Sequence, residues 1–279
     1  MDSVSSSTTA SGRASSGSRS LTPTAASRST LGPYGFYAYG SASDGENHAL
    51  RFINCATGGN LGGTIAWYKQ GSGSHTFELI NCGALEGGYG LYVADDTPYT
   101  DSSPRFTRCL NFQADHCQTS GIYLVAGATA SFTHCFITST IGGNAFHVES
   151  GYSGNWEMNG GMLHATAGHG AFIACDHWSM TGVQIGNIDA GFDMVHIDSG
   201  VSDFSITGCT LGDIFGDNSS AAYGINIHAT CDRYTISGNR IIGNDTGAIN
   251  DGPGPATSRV IQGNTPTSVN TVRIDEIET

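Results

Sequence analysis

Phe204-Ser-Ile-Thr-Gly-Cys209 repeats the plan of Phe77-Glu-Leu-Ile-Asn-Cys82, and the two together decide the fold. In both, apolar side chains stand three and five residues before a small one, with polar residues between. Working outward, nine segments align so that Cys55, Cys82, Cys109, Cys135, Gly161, Val183, Cys209, Asn239 and Asn264 share one column, spaced by 27, 27, 26, 26, 22, 26, 30 and 25 residues. Three residues upstream stand Phe52, Leu79, Phe106, Phe132, Met158, Met180, Ile206, Ile236 and Ile261, all apolar. Five upstream come Leu50, Phe77, Pro104, Ala130, Trp156, Trp178, Phe204, Tyr234 and Arg259, apolar in all but the last. Alternation with period two marks a strand with one buried face. One such strand every ~20–30 residues predicts a coiled solenoid rather than a set of hairpins.

A second strand follows in each coil, usually opened by glycine: Gly90-Leu-Tyr-Val, Gly121-Ile-Tyr-Leu, Asn144-Ala-Phe-His-Val, Gly170-Ala-Phe-Ile, Asp193-Met-Val-His-Ile and Gly224-Ile-Asn-Ile. Its parity turns Leu91, Val93, Ile122, Leu124, Ile225 and Ile227 inward. Tyr92, Tyr123, His147, Phe172, His196 and His228 then face outward. In the fourth to sixth coils Ala145 and Ala171 allow either parity.

The fold class predicted is all-β: a right-handed parallel β-helix of about nine coils over residues 49–264. Nine rungs at the strand spacing make a rod roughly 40 Å long. Residues 1–30 are almost wholly Ser, Thr, Ala, Gly and Arg, and cannot bury enough to form a core. Residues 31–48, with Tyr34, Phe36, Tyr37 and Tyr39, read as an N-terminal cap. Residues 265–279, with Val269, Val272, Ile274 and Ile277, read as one more strand, capping the last coil or pairing with a neighbouring chain in a trimer.

Composition removes several functions. The net charge is −13, with ten Arg and one Lys among 279 residues, which gives no nucleic-acid footprint. No apolar run reaches the ~20 residues that cross a bilayer. The N-terminus lacks the apolar stretch of a secretory signal, so export by the usual route is not expected. Forty glycines fit corners where φ is positive. Cysteines stacked at the ~4.7–4.9 Å strand spacing stand too far apart, with parallel Cβ vectors, for disulfides. Cys55, Cys82, Cys109, Cys135 and Cys209 are therefore read as buried thiols. No pair has the C-x-x-C spacing of a metal site, and no metal or other cofactor is expected.

Parallel strands, glycine corners and stacked Asn and Cys resemble the right-handed parallel β-helix of the pectin-lyase-like superfamily; the phrase closest to it is Ile236-Ser-Gly-Asn239-Arg-Ile-Ile-Gly-Asn244. The likeness spans about Leu50 to Asn264 and is architectural. Within the superfamily, the low-complexity start and scarcity of basic residues look most like a bacteriophage tailspike body. That resemblance implies a homotrimer in the virion, attached to other tail proteins, which binds and cleaves bacterial surface polysaccharide. The alternatives it leaves are a non-catalytic adhesive virion protein and a secreted polysaccharide-degrading enzyme.

Carboxylates gather beyond the second strand: Asp95 and Asp96, Glu149, Asp176 and Asp198. Equivalent positions lie about 5 Å apart on adjacent coils and about 10 Å apart two coils away. Retaining glycoside hydrolysis needs carboxylates ~5–5.5 Å apart, and inverting hydrolysis ~6.5–9.5 Å. Glu149, Asp176 and Asp198 are thus the candidate catalytic groups, weighed against their being solvated turn residues. Tyr92, Tyr123, His147, Tyr152, Phe172 and His196 are the candidate substrate-binding residues, since flat rings stack on a sugar's C–H face. Such a ladder also stabilises strands without a ligand. His147 and His196 would orient substrate or tune the carboxylates. Trp156 and Trp178 fall in an inward column and read as core.

Gly168-His169-Gly170 is similar to a polygalacturonase element. Its neighbouring Asn-Thr-Asp and Arg-Ile-Lys motifs are missing, and Asp96 lies 73 residues before His169. His169 is read as a corner residue. Lyase chemistry of this fold uses Lys or Arg as base, and the single Lys is Lys69. Arg51, Glu78 and Arg105 form an outward ion ladder worth little at a surface. Asn54, Asn81, Asn239 and Asn264 belong to corners. Asp213 and Asp217 lengthen one coil and are second-choice carboxylates or weak cation ligands.

Overall fold

The computed structural model describes residues 20–21, 34–39, 49–58, 64–70, 76–95, 106–127, 129–214, 216, 220–252 and 258–266. The tail residues Val269 to Ile277, together with Pro104, Arg105, Asp96 and Asp217, lie outside them. Among the described residues every element is a strand, and all the pairings are parallel. The chain winds as a β-solenoid of about seven turns, fewer than the nine repeats. The ninth repeat contributes only the short strands Arg259–Gln262 and Thr265–Pro266, and does not close a winding among the described residues.

The first strand of each repeat, with its continuation after a corner, builds a 17-stranded sheet, and the second strand builds a 9-stranded one. Both sheets bury an apolar face. Inside lie Leu79, Phe132, Met158, Met180, Ile206 and Ile236 from the first, against Leu91, Ile122, Phe146, Ile173, Ile197 and Ile225 from the second, all within 1% of complete burial. Trp156 and Trp178 are core, stacked 5.0 Å apart and continued by Phe204 and Tyr234 at 4.8 Å per step.

A left-handed residue turns the chain once per coil inside the larger sheet. Asn54, Asn81, Asn111 and His134 hold it at φ 55°, 51°, 53° and 51°; Gly160, Gly182, Gly208, Gly238 and Gly263 hold it at 63–65°. Glycine and asparagine take this conformation most readily, which explains why they fill the position. The asparagines also brace one another, Asn81 donating to Asn54 at 3.2 Å and Asn111 to Asn81 at 3.0 Å.

This corner corrects the third repeat. Leu79 pairs with Cys109, not with Phe106, and Cys109 pairs onward with Phe132. The left-handed residue is Asn111, so Phe112 occupies the place given to Cys109, and Thr107 that given to Pro104. The spacings there are 30 and 23 (112 − 82 and 135 − 112) instead of 27 and 26. The same shift of three puts Arg108 rather than Arg105 beside Glu78, at 3.7 Å, with Arg51 on its other side. All eight cysteines are free and buried. Burial pushes the thiols of Cys117, Cys135 and Cys175 up to about 12, so they pack as neutral groups.

Candidate functional site

Strand parity in the smaller sheet builds an outward ladder from residues far apart in the chain. Tyr37, Tyr68, Tyr92, Tyr123, His147, Phe172, His196, Asn226 and Asn250 pair rung to rung. Tyr92, Tyr123, His147, Phe172 and His196 thus stand where the alternation places them. His228 is not a rung; Asn226 takes that place, and His228 lies two residues on, its ring 4.5 Å from His196. Tyr152, expected on this face, is instead buried to 3% and packs over Gly127.

The rings spend their faces on one another. Tyr92 and Tyr123 lie 5.3 Å apart at 10°, Phe172 and His196 5.1 Å apart at 11°, and His147 sits 4.5 Å from Tyr123 and 4.7 Å from Phe172. What reaches outward is therefore ring edges rather than the flat faces expected to hold a sugar. The polar atoms on them are partly engaged within the ladder: Tyr123 donates to Glu149, and His147 Nε2 is buried.

One residue-pair further along each strand, the register continues through Glu149, Ala174, Asp198 and His228, whose N–H groups bond Leu124, Val148, Ile173 and Ile197. Glu149 and Asp198 are thus two coils apart on one column, about 9–10 Å at the backbone, with the small Ala174 between them. Glu149 accepts a hydrogen bond from the Tyr123 hydroxyl. Burial, then this carboxylate, push the Tyr123 hydroxyl far up, so it remains a donor. His147 Nε2 lies 3.3 Å from the same Glu149 oxygen, without the alignment of a hydrogen bond. Asp198 accepts from the Ser199 N–H at 2.7 Å.

Asp176 does not join them. Its carboxylate caps the Ser202 N–H at 2.6 Å and lies near enough to Arg233 to stabilise the guanidinium. It belongs to a different corner, where His177, Asp203 and Arg233 stack at φ 59°, 59° and 49° and Arg233 clasps Asp203 through two 2.7 Å bonds. A groove of about 390 Å³ opens beside that corner, lined in part by Trp156, Glu157, Trp178 and Asp203. Its indoles lie face to face at 2°, so they offer a ligand no open ring. Asp95 points into the core, buried to 2% against Lys69 at 2.7 Å.

Behind the ladder runs a polar corner whose hydrogen bonds the repeat does not disclose. Asn144, His169 and Asp193 each reach the next coil's backbone: Asn144 Oδ1 accepts from His169 N at 2.8 Å, His169 Nδ1 from Asp193 N at 2.9 Å, and Asp193 Oδ1 from Tyr223 N at 3.2 Å. Two of them also hold a ladder imidazole three residues on. Asn144 Nδ2 lies 2.8 Å from His147 Nδ1, and Asp193 Oδ2 lies 2.8 Å from His196 Nδ1. Asn226 Nδ2 donates to Asp193 Oδ2 at 2.9 Å, which leaves this 4%-exposed carboxylate fully satisfied. Burial, then the neighbouring His196, lower His169 to about 4, so its ring is neutral near pH 7. The signal available was the spacing shared by Asn144-x-x-His147 and Asp193-x-x-His196. His169 is the corner residue expected of it.

Comparison with protein-family models, with curated proteins and with solved structures gives no match to this chain.

Proposed function

We propose that this solenoid is the body of a bacteriophage tailspike that recognises a bacterial surface polysaccharide along the ring-edge ladder and hydrolyses it there. The observation that carries the reading is the column Glu149–Ala174–Asp198 beside that ladder. An extended sugar chain laid along the rod meets a ring edge at each strand spacing, from tyrosine, histidine or phenylalanine. Between the carboxylates, Ala174 leaves room for a sugar ring. Two coil spacings set the two carboxylates about 9–10 Å apart at the backbone, wide enough for one sugar ring between them. Asp198 delivers the proton to the glycosidic oxygen. Glu149, held by Tyr123, places its charge beside the developing oxocarbenium. Asp176, turned to Ser202 and Arg233, is left out of the chemistry. As in the proteins it resembles, the chain would act as a homotrimer in the virion, joined to other tail proteins.

The test is release of reducing ends from a panel of purified bacterial capsular and lipopolysaccharide polymers. Glu149→Gln and Asp198→Asn are each expected to lower kcat by at least 10²-fold, on the scale of losing a general acid or a transition-state charge. Asp176→Asn stays within about twofold, as a surface substitution away from the site. Equal loss in Asp176→Asn would move the site to the other corner. Binding without cleavage would leave an adhesin, and unsaturated products absorbing in the ultraviolet would replace hydrolysis by elimination.

A further inference from the structure

The hydrogen bonds behind the ladder fix where each imidazole carries its proton. Asn144 cannot be turned over, because its Oδ1 must face the His169 N–H. Its Nδ2–H₂ group therefore faces His147 Nδ1, which has to accept, and the His147 proton sits on Nε2. His169 Nδ1 likewise accepts from the Asp193 N–H, so its proton is also on Nε2. His196 is the reverse case. Both Asp193 oxygens act as acceptors, Oδ1 from the Tyr223 N–H and Oδ2 from Asn226 Nδ2, so His196 Nδ1 carries the proton and Nε2 keeps a lone pair. Exchanging Asn for Asp at one corner position thus inverts the polarity of the histidine three residues later.

We infer that His196, oriented by Asp193, is the catalytic base of the site, and that Asp193 is its positioning residue. This rests on the hydrolytic reading above and supplies the proton acceptor that reading lacks. Glu149 is a poorer acceptor, because Tyr123 already donates to it. In the step, a water oxygen bonds the anomeric carbon while its proton passes to His196 Nε2. The glycosidic C–O bond breaks, its electron pair stays on the leaving oxygen, and that oxygen takes the Asp198 proton. The imidazolium then returns its proton to Asp198 through solvent, and the product has inverted configuration. Buried Asp193 stabilises the imidazolium as it forms, backed by Asn226 and the Tyr223 N–H.

The donor atoms of His169, Asp193 and His196 also lie within 4.8 Å of one another, close enough to suggest a metal ion. The hydrogen bonds speak against one. His169 would have to surrender Nδ1 from a backbone N–H, or bind through the nitrogen that holds its proton.

Nitrogen NMR of the chain labelled in its histidine rings reads the protonation pattern without any substrate. The wild type is expected to show His196 protonated at Nδ1 and not at Nε2. Asp193→Asn should move that proton to Nε2, as Asn144 does for His147, and lower kcat by about 10²–10⁴-fold with KM little changed, the range for losing a general base. The new amide would face the Asn226 amide donor, so His196→Gln provides a second variant, with the same expected loss. A proton on Nε2 of wild-type His196, or full kcat in Asp193→Asn or His196→Gln, would overturn the assignment while leaving the hydrolytic reading intact. A wild type that cleaves no polymer would remove both.

Discussion

Lys69→Met destabilises the protein by about 3–5 kcal/mol, the cost of leaving a buried charge without its partner. Trp67 and Lys69 share the inward parity of the strand Ile65–Gln70, so the single lysine of the chain enters the core. Its ammonium donates to Asp95 at 2.7 Å and to Thr107 at 3.1 Å, and both partners of the ion pair are 1% exposed. Methionine matches the stem but not the charge, and buried Asp95 loses its counter-charge. Because the penalty belongs to the stranded carboxylate, Lys69→Met with Asp95→Leu should recover most of the loss, since apolar replacement of a whole buried pair is often neutral or better. Denaturant midpoints of the two single variants and the double variant measure this directly. Little change on Lys69→Met alone would place the lysine at the surface and contradict the inward parity of that strand.

Phe132→Ala is expected to cost about 3–5 kcal/mol, the loss for emptying a buried phenylalanine site. Phe132 is completely buried, pairs with Cys109 and Met158, and meets Phe146 across the core at 5.3 Å. Phe106 separates the observed register from the regular one. Partly exposed and set one residue before Thr107 on the outer part of its strand, it should cost only about 1 kcal/mol when cut to alanine. Equal losses at the two positions would restore the uniform spacing of 27 and 26 and put Phe106 back in the core column.

The architecture could be read from the residues because a solenoid writes its contacts into a period. Columns such as Met158–Met180 and Ile206–Ile236 are adjacent in space because they are equivalent in the repeat. The third repeat misled because Cys109 resembles the small residue of its column. The better guide was the residue that must adopt positive φ: Asn111-Phe112 matches Asn81-Cys82, and backbone conformation constrains a corner more tightly than side-chain size. Parity alone set Tyr123, His147 and His196 on one outward face, and column position set Glu149 and Asp198 beside them, whereas Asp176 falls at another corner. Tyr152 was misplaced because it lies in a loop after a strand, where alternation no longer predicts direction. Asp193 was missed because a corner carboxylate looks like any turn aspartate until the hydrogen bonds reveal which imidazole it holds. The direction of the ring faces was illegible for a similar reason: stacking depends on neighbours one coil away, and on rotamers that no spacing encodes.

Everything at the site depends on residues one repeat apart lying directly above one another. Spin labels on Arg51→Cys and Thr235→Cys test that stacking, since both stand on one outward column, and the eight native thiols are buried and will not compete for label. The column runs Arg51, Glu78, Arg108, Ser131, Glu157, Ser179, Ser205 and Thr235. Dipolar spectroscopy on doubly labelled chains diluted with unlabelled ones, so that labels on separate chains do not contribute, should therefore find a single narrow separation near seven strand spacings, about 33–34 Å. A broad distribution, or a mean displaced by more than two spacings (about 10 Å), would contradict the stacked solenoid.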